Sequence, residues 1–406
     1  MKCCLLGRKL SHSYSPQIHG MLGDYSYGLQ EIEPEQVEHF LDTCEYHGMN
    51  VTIPYKKTVL PFCRSLSPVA QRLGAVNTIV KQNDGSWVGH NTDYFGFRSM
   101  LEHSGLDVRG KKVLVLGSGG ASATVQAVLN ELNAHVVVIS RSGKDHYGNL
   151  DKHRDAAVIV NTTPVGMYPH TLQSPIALDS FIQLEGVLDL IYNPARTSLL
   201  MDAEGKGITA VNGLWMLAAQ AKESSEWFTG SIIPDEQIQR IYDSLSSKSQ
   251  NIILIGMPGC GKSTVGAIIA QRTGRKLVDA DKEIEILAGK SIPDIFAQDG
   301  EEAFRTIESQ VLATFGKESG LVIATGGGCV TREENYRYLH QNGTIFWIER
   351  DLNELPTDGR PLSAKGHLQE MYRIRKPMYE KFADYRIANL VPEETAMKIM
   401  DKMGGL

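Results

Sequence analysis

A chain of 406 residues is longer than a single hydrophobic core usually grows, so two or more domains are expected. Its 42% hydrophobic and 22% charged residues are those of an ordinary globular protein. The net charge of −6 offers no field that would draw DNA, RNA or an anionic membrane, so any bound anion must be held by local groups.

The first residues, "MKCCLLGRKLSHS", hold an apolar run too short for a secretory signal. No stretch reaches the ~18 apolar residues of a membrane span. Six cysteines without C-x-x-C spacing suit reduced thiols in a cytoplasm. Residues 1 to about 92 read as a mixed α/β region. In "HSYSP", Ser13 and Ser15 precede a helix that Pro16 would start; Ser15 is either an ordinary N-cap or, with Ser13, half of a carboxylate site. "NVTIPYKK" places Lys56 just past a strand, where taken alone it reads as a surface lysine. "NTIVKQNDGSWVGHNTD" is a hairpin with Asp84-Gly85 as a two-residue turn. That turn sets Asn77 opposite Thr92 and gathers Asn77, Asn91 and Asp93 at one end.

From about residue 111, "KKVLVLG", "AHVVVIS", "AAVIVN", "GVLDLIY" and "GITAV" alternate with helical stretches, the pattern of a parallel sheet with crossover helices. Gly117, Gly119 and Gly120 in "VLGSGGAS" stand between a buried strand and a helix, the setting of a dinucleotide site, although Ser122 holds the third glycine position. An acidic residue at the end of the next strand would bind the ribose of NAD. Arg141 stands there instead, with Lys144 nearby, and suits the 2′-phosphate of NADP(H). An exposed arginine without a ligand is the alternative.

"DSLSSKSQN", Asp243 to Asn251, reads as a Ser-rich linker. Beyond it "NIILI", "KLVDA", "LVIAT", "TIFWI" and "YRIA" predict a second parallel sheet. "EEAFRTIESQVLATF" places Phe304, Ile307, Val311, Leu312 and Phe315 on one helical face. "GMPGCGKST" follows the first of these strands and satisfies G-x-x-x-x-G-K-[ST]. Gly256, Met257, Pro258, Gly259, Cys260 and Gly261 would turn backbone N–H groups toward phosphates. Lys262 would reach the β- and γ-phosphates of ATP or GTP, with Ser263 on Mg2+ and Thr264 following in the helix. Cys260 is either a small filler or a thiol whose modification would block the loop.

The first 235 or so residues resemble shikimate dehydrogenase through "GRKLSHSYSP", "MNVTIPYKK", "GAVNTIV", "GHNTD", "GSGGAS", "NTTPVGM", "YNPART" and "NGLWMLAAQA". The resemblance implies that Lys56 and Asp93 form the catalytic pair. It gives Ser13, Ser15 and Thr52 to the substrate carboxylate and neighbouring groups, and Asn77 and Gln220 to ring hydroxyls. Asn50 and Tyr192 would border the site; Gly117, Ser118, Gly119, Gly120, Ala121, Arg141, Lys144 and Gly213 would hold NADP(H). The stretch between Arg141 and "NTTP" is short for this family, so the cofactor domain should lack a small element.

Residues 251–400 resemble shikimate kinase through the phosphate loop, "VDADKEIE", "GEEAFRTIE", "ATGGG", "GRPLS" and "LQEMYRIRKPMYEKFA". Here the resemblance implies a nucleoside-monophosphate-kinase-like domain with a five-stranded parallel sheet. Asp281 would accept the proton of the attacking hydroxyl, and Asp279 would hold Mg2+ through water. Arg305, Arg375, Gly327 and Gly328 would clamp the substrate, and Arg360 would be the lid arginine. "RDLNELPTDGRPLS" is a short lid approach without a second arginine.

Together these imply an α/β chain divided into a substrate domain (1–92 plus about 210–242), a Rossmann-like NADP domain (93–209), a linker (243–250) and a kinase domain (251–406). The front would reduce 3-dehydroshikimate with NADPH, and the back would phosphorylate the resulting shikimate at its 3-hydroxyl with ATP and Mg2+. A quinate-active dehydrogenase fused to a kinase of altered acceptor, and a sensor that has lost catalysis, are the alternatives. Nucleic acid and membrane are not expected partners, and the oligomeric state is open.

Overall fold

In the computed structural model, which describes residues 1–10, 13–355 and 365–404, the apolar run that opens the chain becomes an inner strand. It is β1 (Lys2–Gly7), and it joins β2 (Ser26–Glu31), β3 (Gly48–Val51), β4 (Cys63–Leu66), β5 (Thr78–Lys81) and β6 (Trp87–His90) in the order β2-β1-β3-β5-β6-β4. β1 runs parallel to β2 and β3, while β5 is antiparallel to β3 and β6.

A second sheet holds β7 (Lys112–Leu116), β8 (His135–Ile139), β9 (Val158–Asn161), β10 (Gly186–Asp189) and β11 (Thr209–Val211) in the order β11-β10-β9-β7-β8, all parallel. Helix Gly120–Glu131 makes the crossover from β7 to β8, but only the 3₁₀ segment Tyr147–His153 lies between β8 and β9. The β8–β9 connection thus carries no α-helix.

The third sheet consists of β12 (Asn251–Ile255), β13 (Leu277–Asp279), β14 (Val322–Ala324), β15 (Gly343–Glu349) and β16 (Tyr385–Ala388), parallel throughout in the order β13-β14-β12-β15-β16. Helix Gly300–Gly316 buries Phe304, Val311 and Leu312, and packs Ile307 and Phe315 against the same core. Among the described residues no helix is long and apolar enough to cross a membrane.

Two expectations are corrected. The hairpin pairs Thr78 with His90 and Lys81 with Trp87, a register that leaves a three-residue loop, Asn83 to Gly85, in place of a two-residue turn. The Asp84 carboxylate accepts from Ser86 N (3.0 Å) and Ser86 Oγ (2.6 Å), and Gly85 takes φ +82°; together they hold the extra residue. The Ser-rich segment is also not an extended linker, because helix Glu236–Ser249 runs through most of it. Ile238, Ile241 and Leu245 are buried along that helix, and burial of an apolar stripe outweighs the modest helix preference of serine.

The chain divides into two compact units. One comprises residues 1–164, 175–192 and 202–243; the other comprises 165–174, 193–201 and 244–406. Two loops that precede the kinase region in sequence thus belong to its unit. In the second of them the Ala195 N–H donates to Asn342 Oδ1 (2.7 Å) and the Arg196 N–H to Gln341 O (2.8 Å).

Candidate active sites

In the first unit, Lys56 lies in the turn after β3 and Asp93 opens helix Asp93–Ser104. Lys56 Nζ stands 2.5 Å from Asp93 Oδ2, with the two side chains 32% and 17% exposed. A half-buried ammonium against a carboxylate is an acid–base pair that solvent can still reach.

Beside it lies a set of amides and hydroxyls. The Thr92 N–H donates to Asn77 Oδ1 (2.7 Å) and Asn77 Nδ2 donates to Thr92 Oγ1 (3.0 Å). The expected Asn77–Thr92 contact therefore forms despite the altered register, because the strand stops at His90 and Thr92 turns inward as the N-cap of the next helix. Asn91 does not join the cluster, since its Nδ2 donates to Ala75 O (3.0 Å). Gln220 comes from helix Leu214–Thr229, with its Oε1 3.4 Å from Thr92 Oγ1 and one Nε2 hydrogen on Leu217 O (3.0 Å). Each of Asn77 and Gln220 retains an amide hydrogen that none of these contacts uses.

Ser13 Oγ and Ser15 Oγ are 3.1 Å apart. The N-cap of helix Ser15–His19 is Tyr14, so the capping alternative for Ser15 falls away. Thr52 is half-buried over Gly7, and Tyr192 meets Tyr14 with ring centroids 5.8 Å apart. Asn50 departs from expectation: its Nδ2 donates to Thr78 Oγ1 (3.1 Å) and Ser224 Oγ (2.8 Å), and its Oδ1 accepts from Tyr27 (2.7 Å). Both donors are spent inside the protein, so Asn50 supports the site from behind. His19 stacks on Tyr27 and bonds Tyr25 Oη, and burial lowers its pKa to about 3.

The cofactor cradle follows β7. Gly117 has φ +104°, and a Cβ there would stand 2.8 Å from Thr162 Oγ1, so the turn requires glycine. Among the described residues nothing stands within 4 Å of where a Cβ on Gly119 or Gly120 would be, and Ser118 and Ala121 are exposed, which leaves the helix start open to a ligand. Ser122, in place of the third glycine, is buried and donates to Gly117 O (2.7 Å). At Gly213 a Cβ would fall 2.1 Å from Leu190 O, so two backbones meet there. Arg141 and Lys144 are exposed just past β8, and Asn149 Nδ2 bonds Lys144 O (3.1 Å) to steady their loop. Open N–H groups at a helix start and two cations at the neighbouring strand end fit a dinucleotide carrying a 2′-phosphate.

In the second unit, one cavity of about 570 Å³ is lined by the phosphate loop at one end and by Asp281, Arg305 and Arg375 at the other. Gly256 and Gly261 take φ +143° and +98°, conformations that side-chain-bearing residues rarely adopt. Lys262 is buried and donates to Gly256 O (2.9 Å) and Met257 O (3.1 Å). Pro258, Gly259 and Thr264 line the cavity, while Cys260 is fully buried and serves as a filler. Ser263 Oγ donates to Asp279 Oδ2 (2.7 Å). A hydroxyl backed by a carboxylate fits Mg2+, which keeps most of its waters and takes few protein ligands.

Arg305 is buried and donates to Glu308 Oε2 (2.7 Å) and Glu301 Oε1 (3.2 Å). Arg375 and Tyr379 both donate to Gly327 O, and a Cβ on Gly328 would strike the Arg305 guanidinium. Arg360 lies outside the described residues.

Glu308 was not foreseen. It is fully buried, its Oε1 has no partner among the described residues, and desolvation raises its pKa against the pull of Arg305. The signal was present, because Arg305 and Glu308 stand three apart on a helix whose face was legible. Gly326, beside the expected Gly327 and Gly328, was missed as well.

A shikimate kinase family model matches residues 258–403, and a model of the shikimate dehydrogenase substrate binding domain matches residues 5–79. The chain is 32% identical over 266 residues to the shikimate dehydrogenase (NADP(+)) of Clostridium perfringens, a match covering 60% of this chain and 98% of that one. A chorismate mutase/shikimate 5-dehydrogenase fusion protein from Clostridium acetobutylicum superposes with a TM-score of 0.58 at 34% identity, covering 61% of this chain and 97% of the other. Shikimate 5-dehydrogenase from Thermus thermophilus, in complex with NADP(H) and shikimate, gives 0.56 at 30% identity, covering 60% and 99%.

Proposed function

We propose roles for both sites on one premise: the chain belongs to the shikimate dehydrogenase family and carries a shikimate kinase domain behind that region, which makes it a bifunctional enzyme of the shikimate pathway using NADP(H), ATP and Mg2+. The first site reduces 3-dehydroshikimate to shikimate. Ser13, Ser15 and Thr52 hold the carboxylate, and Asn77 and Gln220 take ring hydroxyls through their remaining amide hydrogens. Gly117–Ala121 and Gly213 would hold NADPH, with Arg141 and Lys144 for its 2′-phosphate, and the bound cofactor would supply the hydride. Lys56 stabilises and protonates the oxygen on which charge develops. In reverse Lys56 must shed its proton, against an ordinary value of about 10.4. Asp93, 2.5 Å away, orients the ammonium and exchanges its proton.

The second site phosphorylates the 3-hydroxyl of shikimate. Arg305, Arg375 and the Gly327–Gly328 backbone hold the carboxylate and ring, and Asp281 orients the hydroxyl and takes its proton. Lys262 would leave the two loop carbonyls to reach the phosphates, Ser263 and, through water, Asp279 would hold Mg2+, and Arg360 would balance charge on the transferring group, which ATP supplies when bound. Functionally, residues 1–92 and about 210–242 carry substrate recognition in the first half, 93–209 carry NADP, and 251–406 carry the kinase.

The observation that carries the reading is the cavity in which the phosphate loop faces Asp281, Arg305 and Arg375, a nucleotide end and an acceptor end in one space. The full chain given 3-dehydroshikimate, NADPH and Mg-ATP should release shikimate 3-phosphate, and quinate should not replace shikimate. Lys56→Ala should remove the reductase activity by roughly 10²–10⁴-fold and spare the kinase, while Lys262→Ala should do the reverse. Loss of both activities from either change would refute two separate sites.

A further inference from the structure

Behind Asn77 and Gln220 lie three hydroxyls that no role above uses. Thr78, Thr92 and Ser224 are each at most 1% exposed. Their oxygens form a closed triangle, with Thr78 and Thr92 both 2.9 Å from Ser224 Oγ and 3.3 Å from each other. They come from three elements: β5, the N-cap of helix Asp93–Ser104 and helix Leu214–Thr229. Each corner also touches a recognition amide or its support. Thr78 and Thr92 reach Asn77 Oδ1 (3.2 and 3.3 Å), Thr92 reaches Gln220 Oε1 (3.4 Å), and Ser224 accepts from Asn50 Nδ2 (2.8 Å).

Counting protons limits what this triangle can do. Ser224 spends its only proton on Gln220 O (2.8 Å), so toward the threonines it can act only as an acceptor. Two of the arrangements open to the group differ at Gln220. In one, Thr78 donates to Ser224 and Thr92 donates to Gln220 Oε1, which leaves Gln220 occupied. In the other, Thr78 donates to Asn77 Oδ1 and Thr92 donates to Ser224, which frees Gln220 Oε1 to accept from a ligand. Rotation of two threonine hydroxyls separates the states, and no heavy atom need move.

We propose that Thr78, Thr92 and Ser224 are positioning residues that switch Gln220 between a self-satisfied and a ligand-accepting state, so that one substrate ring hydroxyl is recognised without leaving Gln220 Oε1 unpaired in the empty cleft. The inference rests on the proposed roles of Asn77 and Gln220. Ser224 is the pivot: without its oxygen Thr78 takes the one lone pair that Asn77 Oδ1 has left beside the Thr92 N–H, and Thr92 stays on Gln220.

The test is steady-state kinetics of the full chain in the shikimate-oxidising direction. Ser224→Ala should raise KM for shikimate about threefold to tenfold, the size of one net hydrogen bond, with kcat and the KM for NADP+ unchanged. Across the three monodeoxy analogues of shikimate, the one lacking the hydroxyl that faces Gln220 should bind the variant and the parent alike. Thr78→Ser, which keeps the hydroxyl, should behave as the parent, and Thr78→Val should not. An unchanged KM in Ser224→Ala, or an equal penalty for shikimate and all three analogues, overturns the switch. Gln220→Ala separates the two failures: if it also leaves the shikimate KM unchanged, the assignment of Gln220 itself is wrong.

Discussion

Replacing Gly326 by alanine tests the acceptor end of the kinase cavity with a single methyl group. The added Cβ would stand 2.5 Å from Glu308 Oε1 and 3.0 Å from Asp281 Oδ1, well inside the 3.4 Å at which ordinary contact begins. Such a clash is cheap when the struck atom ends a flexible side chain. Glu308 is not free in that sense, because it is fully buried and its other oxygen is held by Arg305. Asp281 is exposed and is the group that gives way, which moves the base off its line to the hydroxyl. Overpacking of this kind costs about 1–3 kcal/mol. Expressed in the acceptor site, that raises KM for shikimate by about 5- to 150-fold. ADP release measured against shikimate at saturating ATP, and against ATP at saturating shikimate, separates the two ends of the cavity. The ATP KM and the dehydrogenase rate of the same preparation should not change. An unaltered shikimate KM would sink the assignment of Gly326, Glu308 and Asp281 to one acceptor pocket.

Arg141→Ala should raise KM for NADP+ without affecting KM for NAD+, as initial rates with each cofactor would report; equal changes for both would leave the 2′-phosphate without its partner. Glu308→Ala leaves the buried Arg305 guanidinium with the exposed Glu301 in place of its buried partner, and breaking a buried pair costs up to about 3–5 kcal/mol, which a lower melting temperature of the kinase unit would register. His19 is kept neutral by burial, with a folded-state pKa of about 3 against 6.5 in the unfolded chain. The unfolded state therefore takes up the proton first. Stability that is full above pH 6.5 is lost as pH falls toward 3, by about 1.4 kcal/mol per pH unit for this one group. Urea midpoints measured from pH 7 to pH 5 should fall less steeply in His19→Gln.

What the sequence by itself determined is whatever a local stretch of backbone must do. Apolar runs alternating with helical stretches announced the strands of both parallel sheets. The positive φ values of Gly117, Gly256 and Gly261 are demands that few other residues meet, so the two nucleotide loops could be read directly. Only the tertiary structure decided the rest. Lys56 and Asp93 are 37 residues apart and become a pair through the packing of β3 against the hairpin. The hairpin register turned on a side-chain bond from Ser86 to Asp84, and Glu236–Ser249 became a helix that buries Ile238, Ile241 and Leu245. Ser224 carries no mark in sequence and Glu308 only its spacing from Arg305, since a serine or a glutamate on a helix is ordinarily solvated. Their meaning comes from complete burial, where each remaining polar atom must find a partner or a purpose.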